Sequence, residues 1–210
     1  MMARGNYDHV ASIYDPLARI IFGSTISVSQ FSLLRYNFSG SKILIAGGGT
    51  GTILEELGKL KTTPLTITFI ELSEKMLRKA KKKNAGCHKV KYIHGDVEHF
   101  RADGSFDIII TPFLFDNFTT DKAKGVFNHL NDMLDREGIW LFTDFYISSE
   151  TPWWQRSLLK LMYRFFKIIA RVEANQLPDT ASLFAGAAYS CEQEIFFYGN
   201  FIRSALYRKS

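Results

Sequence analysis

The sequence predicts one α/β domain whose seven-stranded sheet is mainly parallel and ends in a C-terminal antiparallel hairpin. Five short apolar runs alternate with helical patterns between Ile43 and Phe145, and a glycine-rich turn joins the first run directly to a helix. Two further strand-like segments, Glu194–Tyr198 and Phe201–Tyr207, flank Gly199-Asn200. Nearly continuous apolar strands suit a parallel sheet covered on both faces, whose ligands gather at the carboxyl ends of the strands.

The elements follow in order. Residues 1–40 have helical potential and read as an N-terminal arm. Ile43–Ala46 is a buried strand, and Leu54, Leu57 and Leu60 space a helix after the glycine turn. Leu65–Ile70 is the second strand; Ser73 then caps a helix with an acid in its first turn and lysines at its end, as the helix dipole favours. Lys91–His94 and Phe106–Thr111 are the third and fourth strands, Asp121–Leu134 a helix, and Ile139–Phe145 the fifth strand. Residues 146–190 read as a helical cap or insert, with a long helix over Trp153–Arg171 and a proline turn within Gln176–Thr180. A Gly-Asn connection favours a tight hairpin for the last two strands.

Composition bounds the function. A chain of 210 residues with 46% hydrophobic content can build one core unaided, and it shows no repeat or inter-domain linker, so residues 1–210 read as one domain. The formal charge of +5 is too mild to establish an anionic partner. Cys87 and Cys191 form no CxxC pair, which argues against a disulfide framework or a cysteine zinc site and marks them as buried or incidental thiols. No signal-peptide pattern and no apolar run long enough to cross a bilayer is present, so a cytoplasmic protein, soluble or peripheral at a membrane, is expected. The aromatic content, 18 Phe, 9 Tyr and 3 Trp, exceeds what a core needs and suggests aromatic surface for a ligand.

Gly47, Gly49 and Gly51 lie between strand and helix, where they permit a tight turn and bring backbone amides near a polar ligand. Glu71 ends the next strand twenty residues beyond the last glycine, where a carboxylate can accept from ribose hydroxyls. The pair points to a nucleoside. A dinucleotide fingerprint would need glycine at Thr52 or Leu54, and a Walker A loop would need Gly-Lys-Ser/Thr; neither occurs.

With these residues in view, the chain resembles the class I S-adenosylmethionine-dependent methyltransferases, with their Rossmann-like fold. ILIAGGGTG is similar to their first motif, and the likeness continues through Gly95-Asp96-Val97, FDIIIT and LNDMLDREGIWLFTDF. Within that class the opening YDHVASIYD and the late LPDTASLF look most like the ubiquinone and menaquinone biosynthesis methyltransferases. The resemblance implies S-adenosyl-L-methionine as cofactor, with Gly47, Gly49 and Gly51 around its methionine part and Glu71 on the ribose. It also implies Leu72 and Val97 against adenine, Asp96 at the exocyclic amine, and Thr111 with Pro112 beside the methyl donor. Tyr14 and Tyr7 would close over the site, Tyr14 on the cofactor side and Tyr7 towards the substrate. Two positions depart from the pattern: Ile45 stands where an acid is frequent, and Gly48 where a larger residue is.

The acceptor side is expected among Phe113, Phe115, Asp116 and Asn117 after the fourth strand, Asp144 and Tyr146 at the end of the fifth, and Trp153 and Trp154. Asp116, Asp144 and His9 are the candidate bases, set against capping or solvated roles. Methyl transfer of this type needs no metal, and none is expected. In the helix over 153–171, Arg156, Lys160, Arg164, Lys167 and Arg171 recur at helical spacing without an acid. This helix could cap the sheet, join a homodimer or meet a membrane or lipidic acceptor; nucleic acid lacks a second pointer. The expected activity is methyl transfer to a small hydrophobic or aromatic acceptor by a monomer or homodimer. An NAD-dependent oxidoreductase and a noncatalytic cofactor-binding or peripheral membrane protein are the alternatives.

Overall fold

A computed structural model describes residues 20–34, 36, 38–170 and 174–210. The seven strands are β1 (Lys42–Ala46), β2 (Thr66–Glu71), β3 (Lys89–His94), β4 (Phe106–Pro112), β5 (Leu134–Phe145), β6 (Tyr189–Phe197) and β7 (Ile202–Lys209). They form one sheet in the order β3-β2-β1-β4-β5-β7-β6. The first five are mutually parallel, whereas β7 runs antiparallel to both β5 and β6. The helices are α1 (Thr25–Phe31), α2 (Thr52–Leu57), α3 (Glu74–Ala80), α4 (Thr120–Met133), α5 (Trp153–Ala170) and α6 (Thr180–Gly186).

Alternate residues of the central strands serve two cores. Ile43 and Ile45 face a cluster with Leu54, Leu57, Phe69 and Leu77, while Leu44 and Ala46 face one with Phe127, Trp140 and Phe184. Both sides being apolar, β1 reads as a continuous hydrophobic run. Ile45 is fully buried, so an aliphatic residue here matches its surroundings where an acid would have to be desolvated. A third cluster joins α5 to the end of the sheet through Phe22, Phe113, Phe145, Leu159, Phe201 and Ile202.

Several elements differ from expectation. β5 begins at Leu134 instead of Ile139, because Leu134 pairs with Phe106 before a register shift, and Glu137 takes a positive φ of 61°. β6 starts at Tyr189, well before Glu194, and so enters the stretch read as insert. Within that stretch α6 is an additional helix, capped by Asp179, whose carboxylate accepts from the Ser182 amide and hydroxyl. Hydrogen bonding to Ser182 holds the Asp179 carboxyl below its usual range. The hairpin turn is wider than Gly199-Asn200 alone, with Tyr198, Gly199 and Asn200 all at positive φ. Cys87 and Cys191 are exposed, contrary to a buried role.

Candidate cofactor and acceptor site

The loops after β1 to β5 converge at the carboxyl edge of the sheet. Gly47, Gly49 and Gly51 have φ of 69°, 58° and 78°, a left-handed backbone that only glycine adopts at little cost. Their surroundings differ: a Cβ on Gly51 would fall 2.7 Å from the Ala80 Cβ and one on Gly47 2.8 Å from Leu114, but one on Gly49 would meet nothing within 4 Å among the described residues. Gly51 and Gly47 let the loop pack, and Gly49 leaves open space above the backbone. The three amides are not available as expected: Gly47 donates to the Ile70 carbonyl, Gly51 to the Gly48 carbonyl, and Gly49 to Glu71 Oε2 at 2.9 Å. Their contribution is the shape of the cradle rather than its donors.

Gly48 has a separate cause. A Cβ there would lie 2.2 Å from Cε2 of Phe69, a fully buried ring on β2. The departure from a larger residue at position 48 is thus the counterpart of a large aromatic one strand away.

Glu71 is buried at the end of β2, with Oε1 accepting from the Ser73 amide at 2.8 Å and Oε2 from Gly49. Burial pushes its pKa up, and the backbone hydrogen bonds oppose that shift. A carboxylate offers about four lone-pair directions. The Ser73 and Gly49 amides use two and the Leu72 backbone approaches as a third, so Glu71 is fixed in orientation and retains capacity to accept from a ribose hydroxyl. Leu72 is half-buried and its carbonyl bonds His94 Nε2 at 2.9 Å. Asp96 Oδ1 accepts from the Glu98 amide, and Val97 is buried in the core beside Ala46 and Ile70. Open space above Gly49, an oriented carboxylate and an apolar flank fit a nucleoside bearing a small polar tail.

On the other side of β1, Asp144 Oδ2 accepts from the Phe115 and Asp116 amides at 2.9 and 3.2 Å, and Oδ1 from the Phe145 amide at 2.8 Å. Asp144 thereby holds the turn after β4 in place. Burial raises its pKa to about 7 against those hydrogen bonds, and burial together with Asp144 pushes Asp116 well above the carboxylate range. Asp116 Oδ1 accepts from Asn117 Nδ2 at 2.6 Å, and Asn117 also donates to the Phe113 carbonyl. A narrow cavity beside the pair is lined by Phe115, Phe145, Leu177, Pro178 and Thr180. Phe113, directly after β4, adopts φ of 51°, uncommon for a non-glycine residue. Tyr163 of α5 is a member the sequence reading missed. Its buried hydroxyl has no hydrogen-bond partner among the described residues, and its pKa is raised by burial and by the charges of Asp116 and Asp144. Its position four residues after buried Leu159 is the signal that could have shown an inward-facing hydroxyl.

Other expected residues lie elsewhere. Thr111 is fully buried, and its hydroxyl accepts from Trp140 Nε1 at 2.9 Å, so it serves the core instead of bordering a methyl donor. Phe115 is also fully buried, against Trp140 and Phe142, and contributes to the acceptor side only as cavity wall. Trp153 is 79% exposed, away from the cavity; Trp154 packs edge-on to Tyr198. Phe113 is buried against Phe145. Tyr7, His9 and Tyr14 lie outside the described residues.

Residues 43–138 match the family model described as a methyltransferase domain, and the matched span contains the whole Gly-loop and Glu71 region. The fold is that of the class I S-adenosylmethionine-dependent methyltransferases. The chain is 30% identical over 104 residues to malonyl-[acyl-carrier protein] O-methyltransferase 2 of Ilyobacter polytropus, covering 49% of this chain and 39% of that protein. It is 25% identical over 175 residues to the ubiquinone/menaquinone biosynthesis C-methyltransferase UbiE of Geotalea uraniireducens, covering 76% of this chain and 67% of that protein. The magnesium protoporphyrin IX methyltransferase of Synechocystis PCC 6803, solved with bound SAH, superposes with a TM-score of 0.68 at 18% identity over 97% of this chain and 94% of that one. The chain spans at most about half the length of the two Ilyobacter methyltransferases it matches. Within this methyltransferase fold, β7 lying between β5 and β6 is the antiparallel feature expected of the C-terminal hairpin.

Proposed function

We propose that the protein transfers a methyl group from S-adenosylmethionine to a small hydrophobic or aromatic acceptor. The observation that carries this is the buried Glu71 carboxylate, oriented by the Gly49 and Ser73 amides beside open space over Gly49. Glu71 would hold the ribose hydroxyls, Leu72 and Val97 the adenine faces, Asp96 the exocyclic amine, and the 47–51 loop the methionine end. Bound there, the cofactor supplies a methyl group on sulfonium, an electrophile that asks of the protein only alignment, exclusion of water and, for some acceptors, removal of a proton.

Asp116 and Asp144 suit the last task. A carboxylate whose pKa is raised takes a proton from an acceptor hydroxyl more readily than an ordinary aspartate. Asp144 is committed to backbone amides, so Asp116 is the proton-accepting member and Asp144 positions it. Phe115, Phe145 and Leu177 give this side an apolar lining, which favours a ring or hydrocarbon acceptor. The likeness to UbiE supports a quinone-like ring as the first acceptor to try.

The test is calorimetric binding of S-adenosylhomocysteine with NAD in parallel, then turnover of the methyl donor with a panel of phenolic, quinol and carboxylate acceptors read by product mass. Binding of S-adenosylhomocysteine but not NAD is expected. Failure of S-adenosylhomocysteine to bind overturns the assignment. Binding without turnover on any acceptor would leave a cofactor-binding protein in its place.

A further inference from the structure

We propose that the outer face of α5 docks the protein on an anionic lipid surface. The inner face is already occupied. Leu159 is buried in the third core cluster, and buried Gln155 donates from Nε2 to the Tyr198 and Gly199 carbonyls, which fixes the rotation of the helix on the sheet. That rotation leaves Trp153, Trp154, Leu161 and Ile168 exposed by 79%, 43%, 64% and 80%. Trp154, Leu161 and Ile168 recur every seven residues, so they form one ridge about two turns apart. Scattered exposed apolar residues are ordinary, whereas an aligned ridge of them marks a contact surface.

Charge identifies what covers it. Lys160 and Arg164 flank the ridge on one side with Lys167, all three are exposed, and α5 contains no acidic residue. Among the described residues none of these three cations is paired with a carboxylate. Arg156 is different: it donates to the Ser148, Ser149 and Thr151 carbonyls and closes the loop before the helix. Beside one another, an aromatic and aliphatic ridge and an unpaired basic flank match the two layers of a bilayer interface, acyl chains under the ridge and anionic headgroups at the flank. A second copy of this chain would bring the same cations against each other along a two-fold contact, which favours the lipid occupant. No helix among the described residues is long and apolar enough to cross a membrane, so α5 lies along the surface. Docking does not depend on the chemistry at Glu71, but it would hold Tyr163 and the Asp116–Asp144 pair beside the bilayer.

The test is co-sedimentation of the full chain with phosphatidylcholine vesicles, with and without phosphatidylglycerol, at low and high salt, alongside light scattering of the free protein. Binding to phosphatidylglycerol vesicles that weakens at high salt is expected, with a blue shift of Trp153 and Trp154 emission against the constant signal of buried Trp140. Leu161→Glu/Ile168→Glu and Lys160→Glu/Arg164→Glu/Lys167→Glu should each lower vesicle affinity about tenfold or more without lowering the melting temperature, since the side chains changed are solvent-facing. No binding to anionic vesicles at low salt overturns the proposal. Binding that both variants leave unchanged, or a stable dimer in solution that Leu161→Glu/Ile168→Glu dissociates, overturns it as well.

Discussion

At the scale of single residues, Gly48 and Glu71 show how neighbours on adjacent strands constrain one another. Because Phe69 occupies the space a Cβ would need, Gly48→Ala should destabilise the fold by about 1–3 kcal/mol, as overpacking of a rigid core does. Pairing it with Phe69→Leu should recover part of that loss; urea unfolding of the single and double variants measures the coupling. Glu71→Gln is a sharper probe of the site. The amide group would turn a donor towards either the Gly49 or the Ser73 N–H, leaving a buried donor unpaired at a cost of about 1–3 kcal/mol. S-adenosylhomocysteine affinity should fall about tenfold or more, read by calorimetry at a temperature where circular dichroism shows the variant folded. The placement of Gly49 beside Glu71 at the ends of neighbouring strands was legible because spacing along the chain reflects a strand, a turn and a parallel crossover. Thr111 was not legible: β4 is buried on both faces, so its apolar run does not reveal which way one hydroxyl points.

At the scale of elements, α6 holds more of the structure than its seven residues suggest. Phe184 stacks on Tyr207 with ring centroids 3.8 Å apart and meets Trp140, Phe127, Phe142 and Tyr189 at 4.9 to 5.6 Å. Phe184→Ala should therefore cost about 3–5 kcal/mol, at the upper end for a core aromatic, because five rings cannot all close on the void. Differential scanning calorimetry would detect it as a lowered melting temperature. Six of the thirty aromatic residues in the chain pack together here. Neither α6 nor the early start of β6 was evident in the sequence. The helix is too short for periodicity to register, and β6, with most of its residues exposed, lacks the alternation that betrays a half-buried strand. By contrast, α5 has eighteen residues, and its period was plain; what the sequence could not supply was the rotation that chooses which apolar residues face inward.

At the scale of the whole molecule, the buried carboxyl pair ties stability to pH. Burial raises the folded-state pKa of both Asp116 and Asp144 above those of the unfolded chain, and the Asp144 charge raises that of Asp116 further. The folded state then binds more protons, so the stability they contribute is fully present below the ordinary aspartate value and is lost as pH rises, for Asp144 through about 7. Asp116→Asn removes one charge, and the urea midpoint should decline less in the variant than in the parent between about pH 5 and about pH 8. A larger decline in the variant would show that the pair is not repulsive. The overall topology was readable because alternating apolar runs and helices leave few ways to wind a parallel sheet. The pairing of the two carboxyls was not, since they are joined only when β4 and β5 lie side by side.

The strand order carries a temporal consequence. β6 precedes β7 in the chain but touches the rest of the sheet only through it, because β7 lies between β5 and β6. On a ribosome, β6 emerges before the strand that gives it a seat, and β5 presents an open edge until β7 arrives. The hairpin must therefore either form beforehand and dock as a unit or wait, unpaired, for its successor, which makes this edge of the molecule the stage of assembly most exposed to wrong partners.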